Sequence, residues 1–347
     1  MRALTFIAMT AVLTLLPPTA EARVWVFGDS TVDTGWFKVS PYSGNQTFDF
    51  DLAMSSTYGI GKPTNNPGPM SVEALARQFG TTALPANQGG TNFATSGAKN
   101  VNPNTPLNGG FPNAVPTATQ ISNFLSSNTP TGADLFVVAS GGNDVHFALS
   151  TLSGFTVPQQ NAYIEDQATA LAGAIKSLQL RGATHIIVAG QQESFGPANF
   201  QAARQLYDTT LRNALAARQT KYAWGNVDQV RKDIVANPGL FGIQFFTTAA
   251  GHTACPMPDP VLNITTAWAL LCSANSPVTQ PTIFANLALF ADDEHWSAAG
   301  QTVLGSYYNC LARVTWPQTT PPFPVVSPIP ASCARFTEFK SQHAPPL

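Results

Sequence analysis

Short apolar runs alternate with longer amphipathic stretches along most of this chain. Residues 24–27, 134–139 and 185–189 are rich in β-branched and aromatic side chains, and polar residues follow each run. Uninterrupted apolar runs of this length are typical of strands that are buried on both faces of a sheet. Residues 91–95 form a shorter candidate strand, and residues 222–227 form a weaker one.

Apolar residues recur at helical spacing in three other stretches, namely residues 163–180, 198–218 and 298–314. Strands that alternate with helices predict a parallel sheet that is covered by helices on both faces. The sequence therefore predicts a protein of the α/β class.

The tripeptide Gly28-Asp29-Ser30 directly follows the first predicted strand. Ligands of open α/β sheets bind beyond the carboxyl ends of the strands, which is where Ser30 is expected to lie. The same three residue types also favour a simple turn, so the tripeptide alone leaves both interpretations open. A serine hydroxyl becomes an effective nucleophile when a histidine that is held by a carboxylate takes its proton.

Two of the five histidines, His146 and His295, are well placed to serve such a serine. His295 lies in the segment FADDEHWSAAGQ, just before a predicted helix, and Asp292 precedes it by three residues. Residues three apart share a face of a helical or tightly turned backbone, so Asp292 is predicted to orient the imidazole in preference to Asp293 or Glu294. A helix N-terminus that favours acidic residues is the alternative explanation.

Two further loops offer hydrogen-bond donors for an oxyanion, which acyl-transfer chemistry requires. Gly97 lies in TNFATSGA, where it could offer an unobstructed backbone N–H, and Asn143 lies in VVASGGNDVH after two glycines. Each segment is also compatible with an ordinary turn. Their placement after two predicted strands favours a shared site.

Together, these four segments resemble the SGNH (or GDSL) hydrolases. FGDSTVDTG is similar to the family's first block, NFATSGA to the second, GGND to the third and DDEH to the last, and the order is that of the family across residues 24–300. Thr31 stands where the family motif often has leucine, which bears on the subfamily more than on the chemistry.

The resemblance implies a three-layer, flavodoxin-like α/β/α fold with a central parallel sheet, and hydrolysis of carboxylic esters or thioesters. It implies that Ser30 attacks the ester, that His295 takes and returns the proton, and that Asp292 orients His295. The oxyanion hole would then consist of the Ser30 N–H, the Gly97 N–H and the Asn143 side chain.

Other nucleophile assignments fit the sequence less well. An α/β-hydrolase presents its serine in G-x-S-x-G, and the segments around Ser194 and Ser140 lack the first glycine. A phosphatase that uses Asp29 or Asp33 would need basic phosphate-binding residues, which are missing nearby.

Composition and charge limit the classes of molecule that the protein could bind and the compartments in which it could reside. The chain has 347 residues, a formal net charge of −2 and no basic run, which argues against binding nucleic acid. Residues 1–22 read as an export signal: Arg2 precedes an apolar run that is shorter than the roughly 20 residues of a membrane span, and Ala20-Glu21-Ala22 resembles a cleavage site. No later segment is long enough to span a bilayer. We therefore expect a secreted, periplasmic or extracellular protein without an integral membrane segment.

The four cysteines, Cys255, Cys272, Cys310 and Cys333, lie in the last third of the chain. Export favours disulfides, and sequence proximity favours Cys255 with Cys272 and Cys310 with Cys333 among three pairings. A zinc site that includes His252 lacks enough ligands at suitable spacing. No metal and no cofactor are expected.

The hydrolase domain is predicted over residues 23–316, followed by a proline-rich tail, residues 317–347, that is expected to be extended and fastened through Cys333. Loops 36–70 and 100–115 are expected to wall the pocket. Phe241, Phe245 and Phe246 are candidates for an acyl site or for core packing.

Three functions follow from these features. The first is a secreted esterase or lipase that acts on small-molecule or lipid acyl esters. The second is a phospholipase, lipid acyltransferase or polysaccharide O-acetylesterase of the same family, and the third is a non-catalytic surface-binding protein. The sequence does not indicate an oligomeric state.

Overall fold

The computed structural model describes residues 23–104, 111–249, 251–256, 268–317 and 330–342. The predicted export signal, residues 1–22, and most of the proline-rich stretch of the tail, residues 318–329, lie outside these ranges. Within the described ranges, no helix is both long enough and apolar enough to cross a membrane.

A four-stranded parallel sheet forms the centre of the protein, and its strands lie side by side in the order in which they occur along the chain. Every residue of the first three strands is buried. The three predicted strands are confirmed, and the weaker candidate forms the short edge strand. The strands are β1 (Val24–Gly28), β2 (Leu135–Ala139), β3 (His185–Ala189) and β4 (Ala223–Gly225).

The shorter candidate strand, residues 91–95, runs parallel to β1 on the side opposite β2. The Val26 N–H donates to the Thr91 carbonyl at 3.1 Å, and the Phe93 N–H donates to the Val26 carbonyl at 2.8 Å. The Thr95 N–H donates to the Gly28 carbonyl at 3.1 Å. If residues 91–95 are counted as the second strand in chain order, the sheet has the strand order 2-1-3-4-5, which is typical of flavodoxin-like folds.

Helices cover both faces of the sheet because neighbouring strand residues point to opposite sides. Val24 and Val26 of β1 belong to a hydrophobic cluster with residues of the helices Ser71–Gln78, Val227–Ala236 and Ala298–Thr315. Trp25 and Phe27 belong to a second cluster, with residues of the helices Thr117–Ser127, Val157–Leu180 and Ala198–Ala217. This arrangement confirms the three-layer α/β/α fold, and all three predicted helices are present. The helices are α1 (Gln46–Ala53), α2 (Ser55–Tyr58), α3 (Ser71–Gln78), α4 (Thr117–Ser127), α5 (Gly142–His146), α6 (Val157–Leu180), α7 (Ala198–Ala217), α8 (Val227–Ala236) and α9 (Ala298–Thr315).

Both disulfides predicted from sequence proximity are present, Cys255–Cys272 and Cys310–Cys333. The zinc alternative is wrong, because Cys255 is oxidised and His252 faces the Thr247 hydroxyl. Among the described residues, no group of three or more histidine, cysteine or acidic side chains is arranged to hold a metal ion.

The described part of the tail differs from the extended segment that was expected. Ala331–Arg335 and Thr337–Gln342 form 3-10 helices, and Phe336 and Phe339 are buried against the core. Residues 331–342 contain no proline, and the rings of Phe336 and Phe339 pack against Tyr307 of α9. The prediction of extended structure is therefore wrong for residues 330–342.

Candidate active site

The turn that carries Ser30 is set by the close approach of β1 to β2. Gly28 has φ of +151°, and a Cβ atom there would lie 1.8 Å from the Ala139 carbonyl oxygen, so only glycine fits. The next residue, Asp29, donates its N–H to that same carbonyl at 3.1 Å. The Asp29 carboxylate then accepts the Thr31 N–H at 3.0 Å and the Thr31 hydroxyl at 2.7 Å. These bonds turn the chain sharply and place Ser30 beyond the carboxyl end of β1.

Ser30, His295 and Asp292 form one continuous chain of hydrogen bonds. His295 Nε2 lies 2.9 Å from Ser30 Oγ, although 265 positions separate the two residues. His295 Nδ1 lies 2.9 Å from Asp292 Oδ2 and 3.0 Å from Oδ1. When Nδ1 carries the proton and donates it to Asp292, Nε2 is left to accept the serine proton.

Asp292 is buried and is held by backbone donors on both sides. The N–H groups of His295 and Glu294 donate to Asp292 Oδ1 at 2.7 and 3.0 Å, and the Ala269 N–H donates to Oδ2 at 3.0 Å. The spacing of three between Asp292 and His295 was visible in the sequence. The Ala269 donor was not, because it comes from a separate loop. Asp293, by contrast, is exposed.

The opposite charges of Asp292 and His295 favour the ionised form of each side chain. Burial alone would lower the pKa of His295, but the facing Asp292 carboxylate more than offsets it and raises the pKa to about 9. Burial would raise the pKa of Asp292, but the charge and hydrogen bonds of His295 hold it below its usual range. The carboxylate therefore stays ionised and stabilises an imidazolium.

Gly97 and Asn143 line the same pocket as Ser30 and His295. Gly97 has φ of +79°, and the Asn143 side chain donates to the Ala98 carbonyl at 3.0 Å, so the two predicted donor loops are in contact. All five predicted site residues are thus brought together at one edge of the sheet.

Asp33, which was considered only as a phosphatase nucleophile, connects the Ser30 turn to the Gly97 turn. Its buried carboxylate accepts the Ser96 N–H at 2.8 Å and the Ser96 hydroxyl at 2.6 Å. It also accepts the N–H groups of Gly35 and Trp36 at 2.7 and 2.8 Å. With four donors on one carboxylate, Asp33 positions the backbone on both sides.

Asp144 and Asn100 connect the Gly97 loop to the Asn143 loop in a similar way. The Asn100 N–H donates to Asp144 Oδ2 at 2.9 Å, and the Tyr163 hydroxyl donates to Oδ1 at 3.2 Å. The Asn100 side chain donates to the Tyr207 hydroxyl at 2.7 Å. Burial raises the pKa of Asp144 to about 7. Neither residue was singled out from the sequence, because each bond joins distant segments.

The pocket has a volume of about 570 Å³. Asn45 and Phe48 line it from one predicted wall, and Asn104 and Phe111 from the other, so both loops contribute as expected. Trp268 and Leu270 add a third wall. None of the three candidate phenylalanines is among the described lining residues: Phe241 packs in the core, and Phe245 packs on Phe284.

His146, the other well-placed histidine, lies outside the hydrogen-bonded chain of Ser30. Its Nε2 pairs with the Glu294 carboxylate, which joins the end of α5 to the loop of His295. Both side chains line the pocket, so the pair forms part of its rim.

The sequence profile of the GDSL-like Lipase/Acylhydrolase family matches residues 24–307, which include all five predicted site residues. The chain belongs to this family. Family membership supports an ester hydrolase and an ester substrate. A comparison with curated protein sequences returns no match.

Solved structures that resemble this GDSL protein include two variants of a Geobacillus enzyme. One, described as an acetyl-xylooligosaccharide esterase, is 11% identical and has a TM-score of 0.44, with 87% of this chain and 98% of that chain covered. The other, an acetyl xylan esterase from Geobacillus stearothermophilus, is 10% identical and has a TM-score of 0.41, with 84% and 93% covered.

Proposed function

We propose that this protein is an exported serine esterase or lipase that hydrolyses carboxylic esters through Ser30, His295 and Asp292. The observation that carries the proposal is the unbroken chain of hydrogen bonds from Ser30 Oγ through the imidazole to a buried carboxylate. Membership of the GDSL-like Lipase/Acylhydrolase family supports the same reaction class.

The reaction begins when Ser30 Oγ attacks the ester carbonyl and His295 Nε2 takes the hydroxyl proton. The imidazolium that forms is stabilised by Asp292, and the carbonyl oxygen becomes an oxyanion beside the N–H groups of Ser30 and Gly97 and the Asn143 amide. Loss of one such donor typically costs about 2.7–4 kcal/mol of transition-state stabilisation. His295 then protonates the departing alcohol, which leaves an acyl group on Ser30.

Water completes the cycle. His295, now neutral again, takes a proton from a water molecule that attacks the acyl-enzyme, and then returns that proton to Ser30 Oγ as the carboxylic acid leaves. No cofactor is required by this sequence of steps, because the proton and the acyl group are balanced between serine, histidine, alcohol and water.

Export is proposed from two features. Residues 1–22 carry the pattern of a signal peptide, with an apolar run before a small-residue site. All four cysteines are paired, which suits an oxidising compartment.

The test is the initial rate of hydrolysis of p-nitrophenyl esters across acyl lengths by the purified protein and by Ser30→Ala. We expect hydrolysis to vanish in Ser30→Ala while the thermal unfolding curve is kept. Ser194→Ala is the matched control. The Ser194 hydroxyl donates a hydrogen bond to Asp228 away from the pocket, and Ser194 is the nucleophile that the alternative G-x-S-x-G motif would assign. Full activity in Ser30→Ala would overturn the proposal, and the acyl-length optimum would separate an acetylesterase from a lipase.

A further inference from the structure

A lysine in the wall of the candidate pocket has no polar partner among the residues that the structure describes. Lys99 is 3% exposed, follows Gly97 by two residues and lines the pocket together with Gly97 and Asn143. Its Nζ lies 4.1 Å from the centroid of the Phe147 ring, and Phe147 lines the pocket as well. Among the described residues, Nζ makes no hydrogen bond and no salt bridge, so its only close contact of note is an aromatic face.

The other deeply buried lysine of this chain, by contrast, has two polar partners. Lys62 is 6% exposed, and its Nζ donates to Glu73 at 3.0 Å and to the Pro67 carbonyl at 3.1 Å. A buried ammonium loses its hydration and is stable only when other groups replace the lost hydrogen bonds. The face of Phe147 replaces a small part of them at Lys99. The contrast points to a partner that the described residues do not supply.

The nearby carboxylates do not supply that partner. Burial lowers the pKa of Lys99, and the charge of the Asp144 carboxylate raises it by a smaller amount. The Asp144 carboxylate already accepts bonds from Asn100 and Tyr163, and with a pKa of about 7 it is only partly ionised at neutral pH. Of the three carboxylates that line the pocket, Asp292 and Glu294 are engaged by His295 and His146, and Asp293 is exposed to solvent.

Lys99 is also the only lysine or arginine among the described residues that line the pocket. Asn104 and Asn143, which line the pocket as well, carry neutral side chains. A cation without a carboxylate partner among the described residues would attract one anionic group at a fixed point. Binding of an anion would in turn favour the charged form of the lysine.

We propose that Lys99 binds a carboxylate or phosphate group carried by the ester substrate, so that anionic esters are preferred to neutral ones. The inference rests on the proposed function, because it assigns the substrate class of the same pocket. It makes Lys99 a specificity-determining residue, whereas Ser30, His295 and Asp292 perform the chemistry.

The experiment compares kcat/KM for matched anionic and neutral esters. On the acyl side, the pair is the p-nitrophenyl monoester of adipic acid and p-nitrophenyl heptanoate; on the alcohol side, it is m-carboxyphenyl acetate and phenyl acetate. The two pairs distinguish an anion on the acid from an anion on the alcohol. The measured quantity is the ratio of anionic to neutral kcat/KM, which corrects for any general loss of activity.

We expect Lys99→Met to lower this ratio roughly tenfold or more in one of the two pairs, since hydrogen bonds to charged groups are among the strong ones. Lys99→Arg should restore most of the ratio. The matched control is Lys221→Met, which removes the same charge from an exposed position of the surface, and should leave the ratio unchanged.

Two results would overturn the inference while hydrolysis itself persists. An unchanged ratio in both pairs would mean that Lys99 binds no substrate anion. Equal losses on anionic and neutral esters would assign Lys99 to packing or to the oxyanion. Failure of the proposed function is distinguishable, because no ester would then be cleaved faster than by Ser30→Ala.

Binding provides a readout that does not depend on turnover. Adipate should bind by calorimetry to Ser30→Ala, and more weakly by roughly tenfold or more to Ser30→Ala with Lys99→Met. Equal affinity of the two variants, or no binding to either, would contradict the inference.

Discussion

Gln120 forms hydrogen bonds with both backbone groups of Gly28. The Gly28 N–H donates to Gln120 Oε1 at 2.8 Å, and Gln120 Nε2 donates to the Gly28 carbonyl at 2.8 Å. The side chain is buried, and it also donates to the Val115 carbonyl at 2.7 Å. Gly28 ends β1 two residues before Ser30. A side chain of α4 therefore holds the last residue of the strand from which the candidate nucleophile projects.

Replacing this amide should impair the placement of Ser30. In Gln120→Leu, the Gly28 N–H would be left buried without its partner, which typically costs about 1–3 kcal/mol of stability. We expect kcat for a p-nitrophenyl ester to fall by roughly tenfold or more with little change in KM, because the nucleophile moves and the pocket walls do not.

Gln160→Leu is the matched control for that substitution. Gln160 is a buried glutamine of α6 whose Nε2 donates to the Leu152 carbonyl at 2.9 Å, away from Ser30. It should lower the free energy of unfolding but retain kcat. A similar loss of kcat in both variants would show that the effect of Gln120 is one of general stability.

Two adjacent aspartates should differ sharply in their importance. Asp292 accepts the imidazole and three backbone N–H groups, whereas Asp293 is exposed. We expect Asp292→Ala to reduce kcat/KM at least roughly a hundredfold, because the histidine loses its orientation and its counter-charge. Asp293→Ala should retain most of the activity. Equal losses in steady-state assays of the two variants would refute the assignment of the orienting carboxylate.

The pH dependence should follow the protonation of His295. Only the neutral imidazole can accept the serine proton, and the pKa of His295 is raised to about 9 by Asp292. The rate constant kcat/KM should therefore rise with pH through the neutral range and level off near that value.

Removing the charge of Asp292 should shift this profile in a defined direction. In Asp292→Asn, burial still lowers the pKa of His295, but the carboxylate that raises this pKa is lost. The rise of kcat/KM with pH should therefore occur at lower pH, and its plateau value should be smaller. Asp293→Asn serves as the control and should leave the pH of this rise unchanged. A rise at the same pH in wild type and Asp292→Asn would contradict the assignment.

The two disulfides should contribute differently to activity and stability. Cys255–Cys272 lies next to the loop of the candidate base: the Cys255 N–H donates to the Ala291 carbonyl at 2.9 Å, and Ala269 donates to Asp292. Cys310–Cys333 instead fastens the tail to α9. By loop-closure entropy, each is expected to stabilise the fold by about 3 kcal/mol.

Replacing both cysteines of one pair by alanine separates these contributions. The Cys310 and Cys333 double variant should unfold at a lower temperature with kcat retained below that temperature, whereas the Cys255 and Cys272 double variant should lose both stability and kcat. Thermal unfolding and ester hydrolysis measured on the same samples test this. Unaltered kcat in the second variant would show that the disulfide does not support the Asp292 loop.

Local sequence patterns determined a large part of this structure. The apolar runs of residues 134–139 and 185–189 specify strands because side-chain burial on both faces excludes polar residues there. The spacing of Asp292 and His295 specifies their contact, since residues three apart meet on a turned backbone. Sequence proximity sufficed for both disulfides. All of these features depend on residues that are close in the chain.

Tertiary structure alone decided the features that join distant segments. The pairing of Gln120 with Gly28 spans 92 positions, and the bonds of Asp33 to Ser96 span 63. The position of Lys99 in the pocket wall, against the ring of Phe147 and without a polar partner among the described residues, likewise depends on segments that are distant in the sequence. Buried polar groups are almost always hydrogen-bonded, but this regularity does not predict where in the sequence the partner lies. The sequence thus determined the elements and the order of the site residues, and long-range packing determined how those residues are held.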